Sequence, residues 1–196
     1  IMPLALPSIM RAFPADTAAL GTVPTIVWTL IAYMITFAAV LVPAAKLADI
    51  YGHKFFFSLG LVIFTVFAIL SGSAWSIDSL LLFRFLQGIG GGIVFVVSMQ
   101  LLGDVFPSDS PQSATALGVW RGFVVGAAVL APAVGGPLTV WLGWRWVSWG
   151  LVPVSILIWL LGLIWLKQDE RTSRPPSFDW AGAALTVASF SLLAIA

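Results

Sequence analysis

Apolar runs of about 20 residues alternate along the chain with short polar breaks, and those breaks set the expected element boundaries. The first run, Ile1 to Met10, is too short to cross a bilayer and reads as the tail of a span, followed by a polar connection from Arg11 to Gly21 that holds Pro14 and Asp16. Further spans are predicted at about Pro24–Ala44, Phe55–Ala74, Ser79–Gly103, Ser113–Pro137 and Trp146–Leu166. Between them lie the charged stretch Ala45–Lys54, a tight connection at Trp75–Asp78, a two-proline loop at Asp104–Gln112 and a turn at Leu138–Arg145. Lys167–Asp179 is the most polar stretch, and from Trp180 the chain is apolar again to Ala196. The fold expected is all-α and polytopic: a transmembrane bundle over residues 1–166 with its first span truncated, a cytoplasmic linker over 167–179 and the start of a seventh span over 180–196.

Composition removes the soluble alternative. The chain is 60% hydrophobic and 9% charged with mean hydropathy +1.06, too little charge to cover a water-soluble core. A net charge of +1 without a basic run gives no reason to expect a nucleic-acid partner, and with Cys 0 there is neither a disulfide nor a thiolate metal site. The chain lacks an initiator Met and breaks off within an apolar run, as expected of a fragment of a longer, transporter-sized protein. Orientation follows from Lys and Arg: Lys46, Lys54, Lys167, Arg171 and Arg174 lie after the even-numbered spans, against Arg11 and Arg145 on the other side. The Ala45–Lys54 stretch is therefore expected to be cytoplasmic. Trp141, Trp144, Trp146 and Trp149 cluster at the outer start of span six, with Trp165 at its inner end, as in an interfacial aromatic belt; the alternative, a stacking site for an aromatic substrate, has no polar partner in the stretch to support it.

Three stretches offer chemistry. In span two, Thr25, Trp28, Thr29, Ala32, Tyr33 and Thr36 share one helical face. Such a stripe faces protein or water rather than lipid, either as helix–helix hydrogen bonding or as a cavity wall. In span four, Arg84, Gln87, Gly91, Phe95 and Ser98 share a face. A guanidinium within a span costs on the order of 2.5–3.5 kcal/mol, and Gln87 beside it favours an interior polar site over snorkelling to the outer surface. Gly88 to Gly92 are not a nucleotide fingerprint, since no strand precedes them; their expected use is close backbone approach. In span five, Ala114, Gly118, Gly122 and Gly126 form a small-residue seam expected to pack tightly, Pro132, Gly135 and Gly136 sit towards its outer end, and Arg121 is expected either to snorkel to the cytoplasmic surface or to meet an anionic or proton-coupling partner. The sequence carries no phosphate loop or nucleophile elbow, and its single histidine cannot make a metal cluster, so no enzyme activity is expected.

Together these stretches resemble the major facilitator superfamily, and within it the fourteen-span drug:proton antiporters. Leu47-Ala48-Asp49 and Gly52-His53-Lys54 are similar to the loop motif between spans two and three, Gly-x-Leu-Ala-Asp-Arg-x-Gly-Arg-Lys. Arg84-x-x-Gln87-Gly88-x-Gly90 resembles the span-four motif, and Pro132-x-x-Gly135-Gly136 the end of the span-five antiporter motif. Ala5-Leu6-Pro7-x-Ile9, Trp144-Arg145-Trp146 and Phe178-Asp179-Trp180-x-Gly182 also match, so the likeness runs through nearly the whole chain. Four positions depart: Ala45 for Gly, Ile50 for Arg and His53 for Arg in the loop motif, and Ala131 for Gly before Pro132.

The resemblance implies proton-driven export of small amphipathic or cationic compounds by two bundles rocking about a central site, powered by the proton gradient with no other cofactor. It implies a multi-pass protein of the plasma membrane, whose partners are lipid, protons and a small-molecule substrate, acting as a monomer with its C-terminal half. The expected pathway is Thr25, Trp28, Thr29, Tyr33, Arg84 and Gln87. Asp49, Gly52, His53, Lys54 and Asp104 are expected to form a cytoplasmic latch, in which His53 stands where the family has Arg and serves either as a pH-sensitive member or as a solvated loop residue. An uptake symporter of the same superfamily, for instance for a siderophore, a channel, and a non-transporting receptor or scaffold are the alternatives.

Overall fold

A computed structural model describes residues 2–12, 25–106 and 110–166; the connection with Pro14 and Asp16, the linker at 167–179 and the seventh span lie outside the described residues. All described secondary structure is helical. The helices are α1 (Met2–Ala12), α2 (Thr25–Tyr51), α3 (His53–Gly72), α4 (Ile77–Val105), α5 (Pro111–Trp141), α6 (Arg145–Trp149) and α7 (Leu151–Trp165). Five stretches, with α6 and α7 counting together as one, are long and apolar enough to cross a membrane, as the spacing of polar breaks predicts.

The charged stretch after span two is shorter as a loop than its composition suggests. Helix α2 continues through Lys46, Ala48 and Asp49 to Tyr51, and the break shrinks to one residue, Gly52, at φ 105°. Only glycine takes that conformation without strain, so the chain turns there and α3 starts at His53. The added turns are held because Ala44 and Ala48 are buried against Phe56, Phe57 and Val97. Helix α4 likewise starts earlier than expected, where Ser76 and Ser79 form a reciprocal capping box. Ser110 caps α5 ahead of Pro111, which is tolerated at the first helical position because its missing N–H had no partner to lose. Span six is two pieces rather than one helix, joined at Gly150, with Pro153 in the first turn of α7.

Helix α4 is the central element, with α2 and α3 laid against it. Its glycines are what allow this: a Cβ on Gly88 would collide with Thr36 and the Tyr33 carbonyl, and one on Gly90 would lie 2.5 Å from the Phe64 nitrogen. The span-five seam behaves differently. Around Gly118, Gly122 and Gly126 no atom lies within 4 Å of an added Cβ among the described residues, and most of α5 is exposed. The tight packing expected of that seam is therefore not made here, because no described helix lies against that face; Arg121 and Pro132 are exposed too, whereas Gly135 is buried.

Two apolar clusters hold the ends. The outer one gathers Ala5, Ile9, Ala74, Ile77, Leu80, Phe83, Trp144 and Val147. Trp144, 5% exposed, is thus a core residue and not part of an aromatic belt, while Trp141 at 81% and Trp165 at 77% fit a belt at the two ends of the bundle. At the inner end Lys54 Nζ donates to the carbonyls of Leu163 at 3.0 Å and Leu166 at 2.6 Å, supplying the last turn of α7 with the donors it lacks.

Candidate functional site

The interior polar site is built where α2 and α4 run side by side in the same direction. Their register can be read from contacts. Gln100 donates to the Ala45 carbonyl, 55 positions earlier, at 3.1 Å, Gly88 abuts Tyr33 and Thr36, and Gly91 faces the Tyr33 hydroxyl. The same offset sets Thr29 level with Arg84 and Ala32 level with Gln87. The sequence-derived stripes on the two helices therefore meet.

Burial separates this site from a snorkelling arginine. Arg84 is 6% exposed and Gln87 and Thr29 are both 0% exposed. The Arg84 Nη2 donates to the Ser148 hydroxyl at 2.8 Å, so α6 contributes to the site although the sequence reading did not include it. Neither atom of the Gln87 amide, nor the Trp28 indole nitrogen, has a hydrogen-bond partner among the described residues. A buried polar group without a partner costs about 1–3 kcal/mol, and such groups are kept in membrane interiors where something else meets them. Thr36 does not belong to this set. Its hydroxyl returns to its own helix, to the carbonyls of Ala32 at 2.9 Å and Tyr33 at 3.1 Å. Thr25 opens α2, and its side chain lies outside what the structure describes.

Below the stripe, a cavity of about 320 Å³ is lined by Tyr33, Phe37, Phe64, Phe95, Ser98 and Trp120, among others. Three ring pairs form a ladder along it: Tyr33–Phe37 at 6.0 Å, Phe37–Phe95 at 5.4 Å and Phe95–Trp120 at 5.1 Å between centroids. Trp120 Nε1 donates to the Ser98 hydroxyl at 3.2 Å, tying α5 to α4. Such a wall accepts flat apolar groups by stacking. Phe37 and Trp120 were missed because the polar stripes drew the reading. An aromatic at every fourth position of α2, Tyr33 then Phe37, was the available signal.

The charged cluster lies where α2 ends and α3 begins. Helix α2, 27 residues long, rises about 40 Å against a hydrocarbon core of roughly 30 Å, so part of it stands outside the core, and the end that carries Lys46 and Asp49 is the one lipid does not accept. There His53 bridges two helices: Nδ1 lies 2.5 Å from Asp104 Oδ2 on α4, and Nε2 lies 3.2 Å from Asp49 Oδ1 on α2. Gln100 Nε2 donates to the same Asp49 oxygen at 2.9 Å. Burial of the ring pulls its pKa down, but the hydrogen bonds to Asp104 and then Asp49, with the charge of both carboxylates, outweigh it; the net direction is up from 6.5. Three of the five latch residues expected from the sequence, Asp49, His53 and Asp104, are brought together, and His53 is not a solvated loop residue. Gly52 makes the turn that places it, and Lys54 faces away, onto α7.

Five spanning stretches with a buried polar stripe and a charge cluster at one end of the bundle define a polytopic α-helical membrane protein. Residues 1–195 match the Major Facilitator Superfamily, and the chain belongs to that family of membrane transporters. It is 34% identical over 171 residues to the multidrug transporter protein MdtP of Bacillus subtilis, covering 87% of this chain and 31% of that protein. It is 33% identical to multidrug resistance protein 3 of the same organism, covering 91% of this chain and 34% of the relative. With the drug efflux pump JefA of Mycobacterium tuberculosis it shares 31% identity over 194 residues, 99% of this chain and 37% of the relative. The chain thus spans about a third of the length of the curated relatives it matches.

Proposed function

We propose that the whole protein exports small amphipathic or cationic compounds across the plasma membrane, driven by the proton gradient through alternating access. The observation that carries this reading is Gln87, wholly buried within the spanning stretch of α4 one turn from Arg84, with both amide atoms unpartnered among the described residues. A substrate group or water in transit is the partner such an amide needs. Thr25, Trp28, Thr29, Tyr33, Arg84 and Gln87 form the pathway, and the aromatic ladder of the adjoining cavity receives the flat apolar part of the cargo. Asp49, His53 and Asp104 form the cytoplasmic latch, Gly52 makes the turn that places His53, and Lys54 braces the adjoining end of α7. The exposed face of α5 with Gly118, Arg121, Gly122 and Gly126, and its Pro132-x-x-Gly135-Gly136 end, serves helix packing in the complete transporter. The names of the relatives, a multidrug transporter and a drug efflux pump, support export of this kind of cargo. The full number of spans, fourteen, and action as a monomer belong to the same proposal.

The test is transport by the full-length protein in proteoliposomes. An imposed pH gradient is expected to drive ethidium, a flat aromatic cation, against its concentration, and to stop doing so when an ionophore collapses the gradient. Indifference to the gradient removes proton coupling. Movement of cargo only in the inward sense favours the uptake symporter, and ion currents without coupled transport favour a channel.

A further inference from the structure

We infer that Ser148, on the short outer helix α6, is the positioning residue for Arg84, holding the pathway guanidinium in one orientation. The inference rests on the pathway reading of Arg84. The geometry is specific: Ser148 is 0% exposed, Arg84 is 6% exposed, and Nη2 meets the hydroxyl oxygen at 2.8 Å across 64 residues of sequence. An arginine side chain is long and has many rotamers, so an acceptor orients its donors only if that acceptor cannot move.

Ser148 is on a helix of five residues, which alone would be a poor anchor, but α6 is pinned on several sides. Arg145 Nη2 donates to the Ala74 carbonyl at 3.0 Å, and Trp149 Nε1 donates to the Ile69 carbonyl at 3.3 Å. The Trp149 indole occupies the space Gly72 leaves by having no side chain. Trp144 and Val147 are buried in the outer core with Leu80 and Phe83, and the Arg145 guanidinium lies 4.6 Å from the centroid of the Trp144 ring. Leu80, Phe83 and Arg84 follow one another along the same side of α4, so the cluster that seats α6 also sets the distance between Ser148 and the guanidinium. The outer end of α3, the short helix and the pathway arginine therefore move as a unit. A substitution at Ser148 acts on transport through Arg84, without touching cargo.

The experiment measures ethidium transport by the full-length protein in proteoliposomes for Ser148→Ala, Ser148→Cys and Ser148→Thr, beside Arg84→Ala. Loss of a hydrogen bond to a charged donor is expected to lower Vmax/KM about tenfold or more in Ser148→Ala. Ser148→Cys fills the same space with a weak acceptor and is expected to fall nearly as far, whereas Ser148→Thr keeps the hydroxyl and stays within about threefold of the parent. Melting temperature in detergent is expected to change by no more than about 2–4 °C for the Ala and Cys variants. A Cys variant that transports like the parent, or an Ala variant within about twofold of it, overturns the positioning role. So does a loss of transport that follows melting temperature across the series. If the extra methyl of Ser148→Thr prevents folding, the comparison of Ala with Cys still decides. Arg84→Ala separates the two readings: inactive beside a normal Ser148→Ala, it removes the positioning role alone, and active, it removes the pathway reading beneath it.

Discussion

Replacing His53 tests how the charged end of the bundle is held. In the structure the ring links Asp49 on α2 to Asp104 on α4, so it ties the helices that carry the polar stripe. The carboxylate side chains are 45% and 49% exposed, and solvent screens both pairs, whereas the ring is only 17% exposed. Exposed ion pairs contribute about 0.2–1 kcal/mol each, so the two together stabilise the linked arrangement of the helices by roughly 0.4–2 kcal/mol. That is about a two- to thirtyfold shift in the equilibrium between linked and unlinked arrangements. The sign with pH follows from the direction of the shift. The folded-state pKa lies above 6.5, so the stabilisation is fully present below about pH 6.5 and is lost as pH rises through the raised value. His53→Arg keeps the charge at every pH and removes that loss; His53→Ala removes the link throughout. The assay is melting temperature in detergent, and ethidium transport at a fixed pH difference, as both sides move together from about pH 6 to about pH 9. The parent and His53→Arg are expected to agree at the acid end and separate as pH rises, with the parent falling. Superimposed profiles across that whole range refute the reasoning.

Other changes test the same geometry. Gln87→Leu removes a buried amide that no described residue satisfies, so stability is expected to hold or rise by up to about 1–3 kcal/mol while transport is lost, read by melting temperature and ethidium efflux. Gly88→Ala drives a methyl into Thr36 and the Tyr33 carbonyl and is expected to cost about 1–3 kcal/mol. Gly126→Ala, where no atom lies within 4 Å among the described residues, is expected to stay within about 0.5 kcal/mol of the parent, read by the same melting comparison.

The helices were legible because membrane spans need long apolar runs, and nothing else in the chain competes with that signal. Their ends were less so. Lys46 and Asp49 look like loop residues by composition, yet α2 carries them outward in helical form until Gly52 permits the turn. The charged triad was legible because Asp49 and His53 are four apart, although the helix does not run through both: α2 ends at Tyr51, and the turn at Gly52 brings the His53 ring back to Asp49. What was hidden depends on register between distant segments. Ser148 is one serine among tryptophans, and only the seating of α6 against α3 and α4 brings it to Arg84. Trp144 shows the same limit. As one of four clustered tryptophans it reads as belt, but its ring is enclosed by Ile77, Leu80 and their neighbours. The glycines of α4, Gly88 and Gly90 to Gly92, and those of α5, Gly118, Gly122 and Gly126, both read as packing seams in the sequence, and only the neighbouring helices distinguish the packed set from the open one.

The central claim is that Arg84 belongs to the transport pathway and not to the scaffold. The direct measurement is ethidium transport by the full-length Arg84→Ala protein in proteoliposomes under an imposed pH gradient, with membrane insertion measured in parallel. Transport is expected to fall to the background of empty vesicles while insertion is unchanged. Undiminished transport by correctly inserted Arg84→Ala protein contradicts the account.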